Sequence, residues 1–412
     1  MNGLNGADMT FVIMSAALVM LMIPGLALFY GGMVKSKNVL STTLHSYAAL
    51  IVLSVQWVII GYSLAFGPDI HGLIGNLDLS FLSTVGILPN ADYSTTIPQL
   101  LFVIFQMMFA AVTAAVVAGS FEERMRFPAF LIFILLWSTF VYDPIAHWVW
   151  GGSGENAGWL KQLGVQDFAG GLVVEVNSGV SGLVAAIMLG KRKRTNPEPH
   201  HVPMAVLGGG ILWFGWFGFN AGSALAMNGT AVNAFLTTNS AAAAGAISFA
   251  IFEWLIHKKP TALGTISGAI AGLVAITPGA GYVSPMSSLF IGFIGGALSF
   301  LAIVFLKSRL GYDDTLDAFG CHGVAGIWGV IATGIFSSSA VNSSAANGLL
   351  YGNFELFKVQ LIAVGACVIY AAVATFVILK VMSIFIKLRT TKEDESIGLD
   401  ISLHGEHAYN GF

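Results

Sequence analysis

Two ionisable residues in apolar surroundings, Glu175 and His322, stand at matched places in the chain. Asp167 is followed eight residues later by Glu175, then by Gly179 and Gly182. Asp314 is followed eight residues later by His322, then by Gly326 and Gly329. The shared pattern is Asp-x7-(Glu/His)-x3-Gly-x2-Gly. A carboxylate and an imidazole accept and return protons near neutral pH, so a pair of them is suited to proton transfer or proton sharing. The chemistry depends on whether the fold brings them together, and on what surrounds them.

The elements that must do this are membrane helices. The chain has 412 residues, 56% hydrophobic and 9% charged, with net charge −3; its mean hydropathy is +0.80. A soluble domain carries about 25% charged residues, so a water-facing globule, a disordered chain and a basic nucleic-acid binder are excluded. Two cysteines, Cys321 and Cys367, both in apolar stretches, rule out a disulfide framework. No cleavable signal peptide is evident, because residues 1–8 carry no basic residue before a run of spanning length. Eleven apolar runs are long enough to cross a bilayer: 9–33, 41–66, 97–119, 127–149, 168–190, 202–225, 232–256, 261–279, 285–307, 315–337 and 355–386. The predicted fold is an all-α integral membrane protein. Residues 1–386 form the membrane domain and 387–412 a short polar tail.

With the N-terminus outside, 16 of the 18 Lys and Arg residues fall on the cytoplasmic side, including Lys191-Arg192-Lys193-Arg194; Lys161 and Lys358 remain outside. An odd number of spans puts the C-terminus inside. The matched segments fall in spans five and ten. Five spans per unit invert the second unit relative to the first, giving a 5+5 inverted repeat with span eleven outside it. Eight residues of helix carry the chain about 12 Å inward, and half a bilayer core is about 15 Å. Glu175 descending from one side and His322 ascending from the other are therefore both expected near the midplane, facing a common interior. An ionisable group there costs on the order of 3 kcal/mol and by default marks a pathway or a partner.

Other polar residues read as structural. Asp143 and His147, and His45, Glu253 and His257, lie near span ends and suit capping or interfacial pairing. His200 and His201 fall in a Pro-rich loop and read as solvated. Cys321 reads as a packing residue. No His-Glu-x-x-His or cysteine cluster suggests a metal, and no Gly-x-Ser-x-Gly suggests a serine hydrolase. No cofactor is implied. Aromatic residues recur as Phe105 and Phe109 in Phe-Gln-Met-Met-Phe, as Trp148 and Trp150, and in the Trp213-Phe-Gly-Trp-Phe-Gly-Phe219-Asn-Ala-Gly-Ser223 run. Singly, each is ordinary for a membrane helix.

Taken with the repeat, they carry a resemblance. From about residue 9 to 409 the chain resembles the Amt/Mep/Rh family of ammonium transporters, on Pro24-Gly-Leu-Ala-Leu-Phe-Tyr-Gly-Gly-Met33, Ala146-His-Trp-Val-Trp-Gly-Gly152, Asp167-Phe-Ala-Gly-Gly171, Asp317-Ala-Phe-Gly-Cys-His-Gly323 and the tail Gly398-Leu-Asp-Ile-Ser-Leu-His-Gly-Glu406. The Phe-Gly-Phe-Asn-Ala-Gly-Ser run is similar to the Amt branch. The resemblance implies that Phe109, Trp150 and Ser223 recruit the cation, that Asp167 shapes this site, and that Phe109 and Phe219 close the pore beneath it. It implies a homotrimer with one pore per subunit and a PII-type signalling protein as a partner at the cytoplasmic face. It places the family's two midplane histidines at 175 and 322. Here position 175 is Glu, as in a subset of fungal members.

Ammonium differs from potassium in its four hydrogen-bond donors and its removable proton. Aromatic faces bind such a cation by roughly 1–2 kcal/mol, and losing the proton removes most of the cost of crossing an apolar tube. The expected activity is electrogenic ammonium transport, with ammonia in the pore and the proton passing through Glu175–His322; methylammonium is a second possible substrate. The alternatives are an ammonium sensor acting through a separate partner, an intramembrane enzyme, and an uncharged-gas or water channel.

Overall fold

The computed structural model describes residues 3–192 and 198–409; Lys193 and Arg194, counted above among the cytoplasmic basic residues, lie outside them. Among the described residues eleven long apolar helices make the bundle, here α1 to α11: Gly6–Met33, Ser36–Phe66, Gln99–Ala118, Phe127–Trp150, Gly171–Leu189, Val202–Gly222, Gly229–His257, Ala262–Ile276, Pro285–Leu310, Phe319–Phe336 and Phe354–Phe385. Ten are long and apolar enough to span a bilayer. The exception, α8, has 15 residues, about 22 Å of helix. Pro278 disfavours helix in the residue before it, and the chain continues past α8 through buried turns to Val283. The Pro278 carbonyl accepts the Phe168 amide at 3.0 Å, so this turn supports the segment that starts α5. Side chains cap several helix starts: Asn5 on α1, Asn228 on α7, Thr261 on α8 and Asn353 on α11.

The inverted repeat is visible in the packing. Helix α1 lies along α6, its counterpart in the other unit, with Gly208 so close to Phe29 that a Cβ would fall 2.3 Å from its nitrogen. Helix α5 lies against α10 in the same way. Small residues permit these approaches, as is usual where helices pack inside a bilayer.

The chain is not purely helical. Between α2 and α3 a long loop carries a two-stranded hairpin, Asp69–Ile70 paired antiparallel with Ile74–Gly75. On the opposite face the tail forms two short helices, α12 (Lys392–Ile397) and α13 (Leu399–His404). The tail is docked: the Ser41 amide donates to Asp400 at 2.8 Å and the Leu399 amide to Asn38 at 2.8 Å. Beside it, Arg124 is fully buried and donates to Asp313 at 3.0 Å. Arg192 reaches both Asp313 and Glu123 at 2.8 Å. This network ties together the loops after α3 and α5 and before α10. Burial pulls Arg124 down to about 10, against the pull of Asp313. Burial pushes Asp313 up, but the bonds and charge of Arg192, with Arg124, leave it below the ordinary carboxylate value.

Candidate functional site

Asp167 starts the site. Its carboxylate accepts the amides of Gly170, Gly171, Leu172 and Val173 at 2.6–3.3 Å. That satisfies the orphan donors of the α5 start and sets a negative charge at the positive end of the helix. From there the helix is widened over Gly171–Val176, with the Glu175 amide bonded five residues back to Gly170. The matched segment of α10 is widened over Phe319–Val324, and Asp314 accepts the Phe319 amide at 2.8 Å. Such wide turns redirect a side chain within a helix and recur at functional positions.

The two wide turns meet. His322 Nδ1 and Glu175 Oε2 lie 2.6 Å apart, both groups buried. With a neutral imidazole, Nδ1–H donates to the carboxylate. The matched glycines make the approach possible. Gly179 lies on the backbone of Gly323, and Gly326 lies on Glu175 Cβ and the Val176 amide. Gly182 and Gly329 repeat the relation one turn on, against the ends of α3 and α8 at Ser120 and Ala275.

On the N-terminal face a vestibule of about 800 Å³ opens above the pair, lined among others by Phe109, Trp150, Asp167 and Ser223. The Phe109 ring stands edge-on to Trp150, centroids 6.0 Å apart. Trp150 Nε1 donates to the Asp167 carbonyl at 3.0 Å, which fixes the indole. The Ser223 hydroxyl donates to the Phe219 carbonyl at 2.8 Å, leaving its lone pairs to accept. Phe109 and Phe219 stack at 4.2 Å and 28° across the vestibule floor, both buried. Phe105 packs edge-on to Phe109 at 4.9 Å and supports it.

Beneath these rings lies a small cavity of about 10 Å³, walled by Met22, Leu26, Val112, Val116, Val174, Leu212, Trp216 and Phe219. Glu175 and His322 are the ionisable groups on its wall. Trp216 donates to Thr277 at 2.9 Å, so its polar edge is satisfied and its ring serves as apolar wall.

The remaining sequence candidates lie elsewhere. His45 meets Glu122 at 2.8 Å near the tail. Glu253 accepts from Thr261, the cap of α8. Asp143 is as deeply buried as Glu175, but its partner is Gln56 at 2.8 Å. His147 bonds Asp69 and the Ala65 carbonyl. Trp148 packs on Tyr370 and donates to Leu73, away from the vestibule. Cys321 lies buried beside Ser299. One reading is corrected in part: His201 is exposed, but His200 is half-buried, its ring bonding the Val34 carbonyl at 2.9 Å and the Tyr409 hydroxyl at 2.8 Å. The tail end covers it, a contact that loop composition does not announce. Sequence reasoning also missed Tyr93, Lys161 and Tyr282 on the vestibule wall; Tyr93 and Tyr282 come from turns, and Lys161 from a one-turn helix, Trp159–Gln162, too short to show periodicity. Among the described residues no group of three or more His, Cys, Asp or Glu could hold a metal ion.

Comparison with known proteins returns one consistent result. The sequence profile of the Ammonium Transporter Family matches residues 10–409. The chain is 55% identical to an ammonium transporter of Bacillus subtilis (strain 168) over 403 residues, 98% of each chain. It is 47% identical to an ammonium transporter of Aquifex aeolicus over 399 residues, 97% of this chain and 92% of that one. Among solved structures it is similar to Saccharomyces cerevisiae Mep2, with TM-score 0.88, 37% identity, and 95% of this chain and 91% of that one covered. It is equally similar in fold to a sensor Amt protein, with TM-score 0.88, 32% identity and coverage of 96% and 98%.

Proposed function

This chain belongs to the ammonium transporter family, and from that premise we propose that it recruits ammonium in the vestibule, deprotonates it and conducts ammonia through a narrow tube that passes through the cavity beneath the stacked rings. In this reading the cation rests against Phe109 and Trp150 and donates to Ser223. Asp167 acts through the geometry it imposes on the α5 start and on Trp150. Phe109 and Phe219 form the gate, and ring displacement admits the substrate. The proton passes through Glu175 and His322, so transport carries charge. Potassium fits the aromatic site but has no proton to shed, and an intact cation pays a large desolvation cost in an apolar tube.

The observation that carries the reading is the 2.6 Å Glu175–His322 contact on the wall of an otherwise apolar cavity, directly below stacked phenylalanines. A carboxylate hydrogen-bonded to an imidazole accepts a proton on one partner and releases it from the other without moving either backbone. The vestibule side is proposed as extracellular and the tail side as cytoplasmic, on the distribution of Lys and Arg. The proposed assembly is a homotrimer. The face proposed as cytoplasmic, which carries the docked tail over residues 387–409, is the surface proposed for a PII-type partner.

The test is current from purified protein in liposomes on an ammonium pulse. Wild type is expected to give a saturable current, and Glu175→Gln to lose most of it while ammonia flux persists or falls less. Uptake without current in wild type would overturn the electrogenic mechanism. A second reading, an ammonium sensor, is favoured by the likeness to a sensor Amt protein; it predicts ammonium binding with no flux in the same liposomes.

A further inference from the structure

We propose that Lys161 sets the ammonium affinity of the vestibule, acting as a tethered alkylammonium seated on carbonyls that a free ammonium would otherwise take. This rests on the transport reading above. Lys161 shares the vestibule wall with Phe109, Trp150 and Ser223. Its Nζ donates to the Trp150 carbonyl at 3.0 Å and to the Gly152 carbonyl at 2.5 Å, and lies 6.0 Å from the centre of the Tyr93 ring.

Those carbonyls are a ready cation site. Trp150 ends α4, so its carbonyl is one of the orphan acceptors at the negative end of a helix. Two carbonyls and an aromatic face are what an ammonium ion seeks in a partly dehydrated cavity. A lysine head group is the same ion with one hydrogen replaced by carbon. It is covalently attached, so it outcompetes free ammonium for that seat. It also leaves a fixed positive charge one residue from the Trp150 ring. Neither nearby acid is hydrogen-bonded to the Lys161 ammonium among the described residues: Asp92 accepts from Ser153 and acts on Lys161 only through space, and the Asp167 carboxylate accepts four backbone amides. Burial lowers the Lys161 pKa, with the Asp92 charge opposing.

Two unit charges about 10 Å apart in a partly wet site repel enough to weaken binding by about two- to ten-fold. Lys161 thus holds affinity below what the aromatic site could reach, which suits release into the gate. A purely structural peg that fixes Trp150 would act in the opposite direction, since its removal would weaken binding.

The experiment measures half-saturating ammonium and maximal current in proteoliposomes for wild type, K161Q, K161M and K161R. K161Q and K161M are expected to lower half-saturation about two- to ten-fold, with K161R near wild type. The gap between wild type and K161Q should narrow in high salt. Unchanged or raised half-saturation in both K161Q and K161M would overturn the proposal. Should wild type carry neither current nor flux, the transport reading fails by itself. Calorimetric binding of methylammonium to the solubilised protein then tests Lys161 separately, with the same fold-change expected and no change overturning it.

Discussion

Gly179 lies against the backbone of Gly323, so that a Cβ at position 179 would stand 2.3 Å from the Gly323 nitrogen and 2.4 Å from its Cα. The contact is backbone on backbone, and neither side can swing aside. The separation of α5 and α10 where they cross is therefore set by two absent side chains, and the Glu175–His322 distance follows from it.

Gly179→Ala is accordingly expected to wedge α5 from α10, costing about 1–3 kcal/mol by overpacking and lowering Tm by several degrees. Ammonium flux should fall with it. Gly365→Ala in α11, where an added Cβ meets nothing within 4 Å, should leave both Tm and flux near wild type. Thermal unfolding in detergent and flux in liposomes check the pair of variants together.

Ser223→Ala removes one acceptor from the vestibule without disturbing the rings. Its hydroxyl is turned to the Phe219 carbonyl, and the helix continues beneath it unchanged. A hydrogen bond from a charged donor contributes about 1.5 kcal/mol at the low end, so half-saturating ammonium should rise about ten-fold. Maximal current should change little. A fall in maximal current at constant half-saturation would place Ser223 after the recruitment step.

The pH dependence of stability follows from Asp313. Its pKa is held below the ordinary carboxylate value in the folded protein, so its stabilising contribution is fully present above the unfolded value of about 4. That contribution is lost as pH falls through the lower folded value. Lowering pH from 6 to below about 4 should reduce Tm, and Asp313→Asn should show a lower Tm at pH 6 with a shallower decline. An equal slope in both proteins would remove Asp313 as the cause. The tail would be the first segment to loosen, and limited proteolysis after residue 387 reports that.

What the sequence made legible was what depends on depth and period. Glu175 and His322 could be brought together from two counted distances and the sense of two helices, and a one-turn widening in each helix did not disturb the result. The count of spans was equally legible, apart from α8. There a Gly- and Thr-rich run ending at Pro278 is too short to cross alone and is completed by buried turns. Less legible was much of what the segments between the long helices contribute. Lys161 and Tyr93 line one cavity with Phe109, yet no spacing relates them. His200 finds Tyr409 across more than 200 residues. Asp143 shows the limit of depth as a guide: it is as fully buried as Glu175 but answers to Gln56 rather than to the cavity.

One consequence of the carboxylate at position 175 is a matter of counting charge. Two imidazoles sharing a single proton would present +1 to whatever enters the tube. A carboxylate and an imidazole sharing a single proton present zero, and shed it to reach −1. At every level of proton occupancy this chain's pair is one unit more negative than a matched pair of histidines would be. Positive charge near the pair therefore meets one unit less repulsion than the symmetric arrangement would offer at the same occupancy.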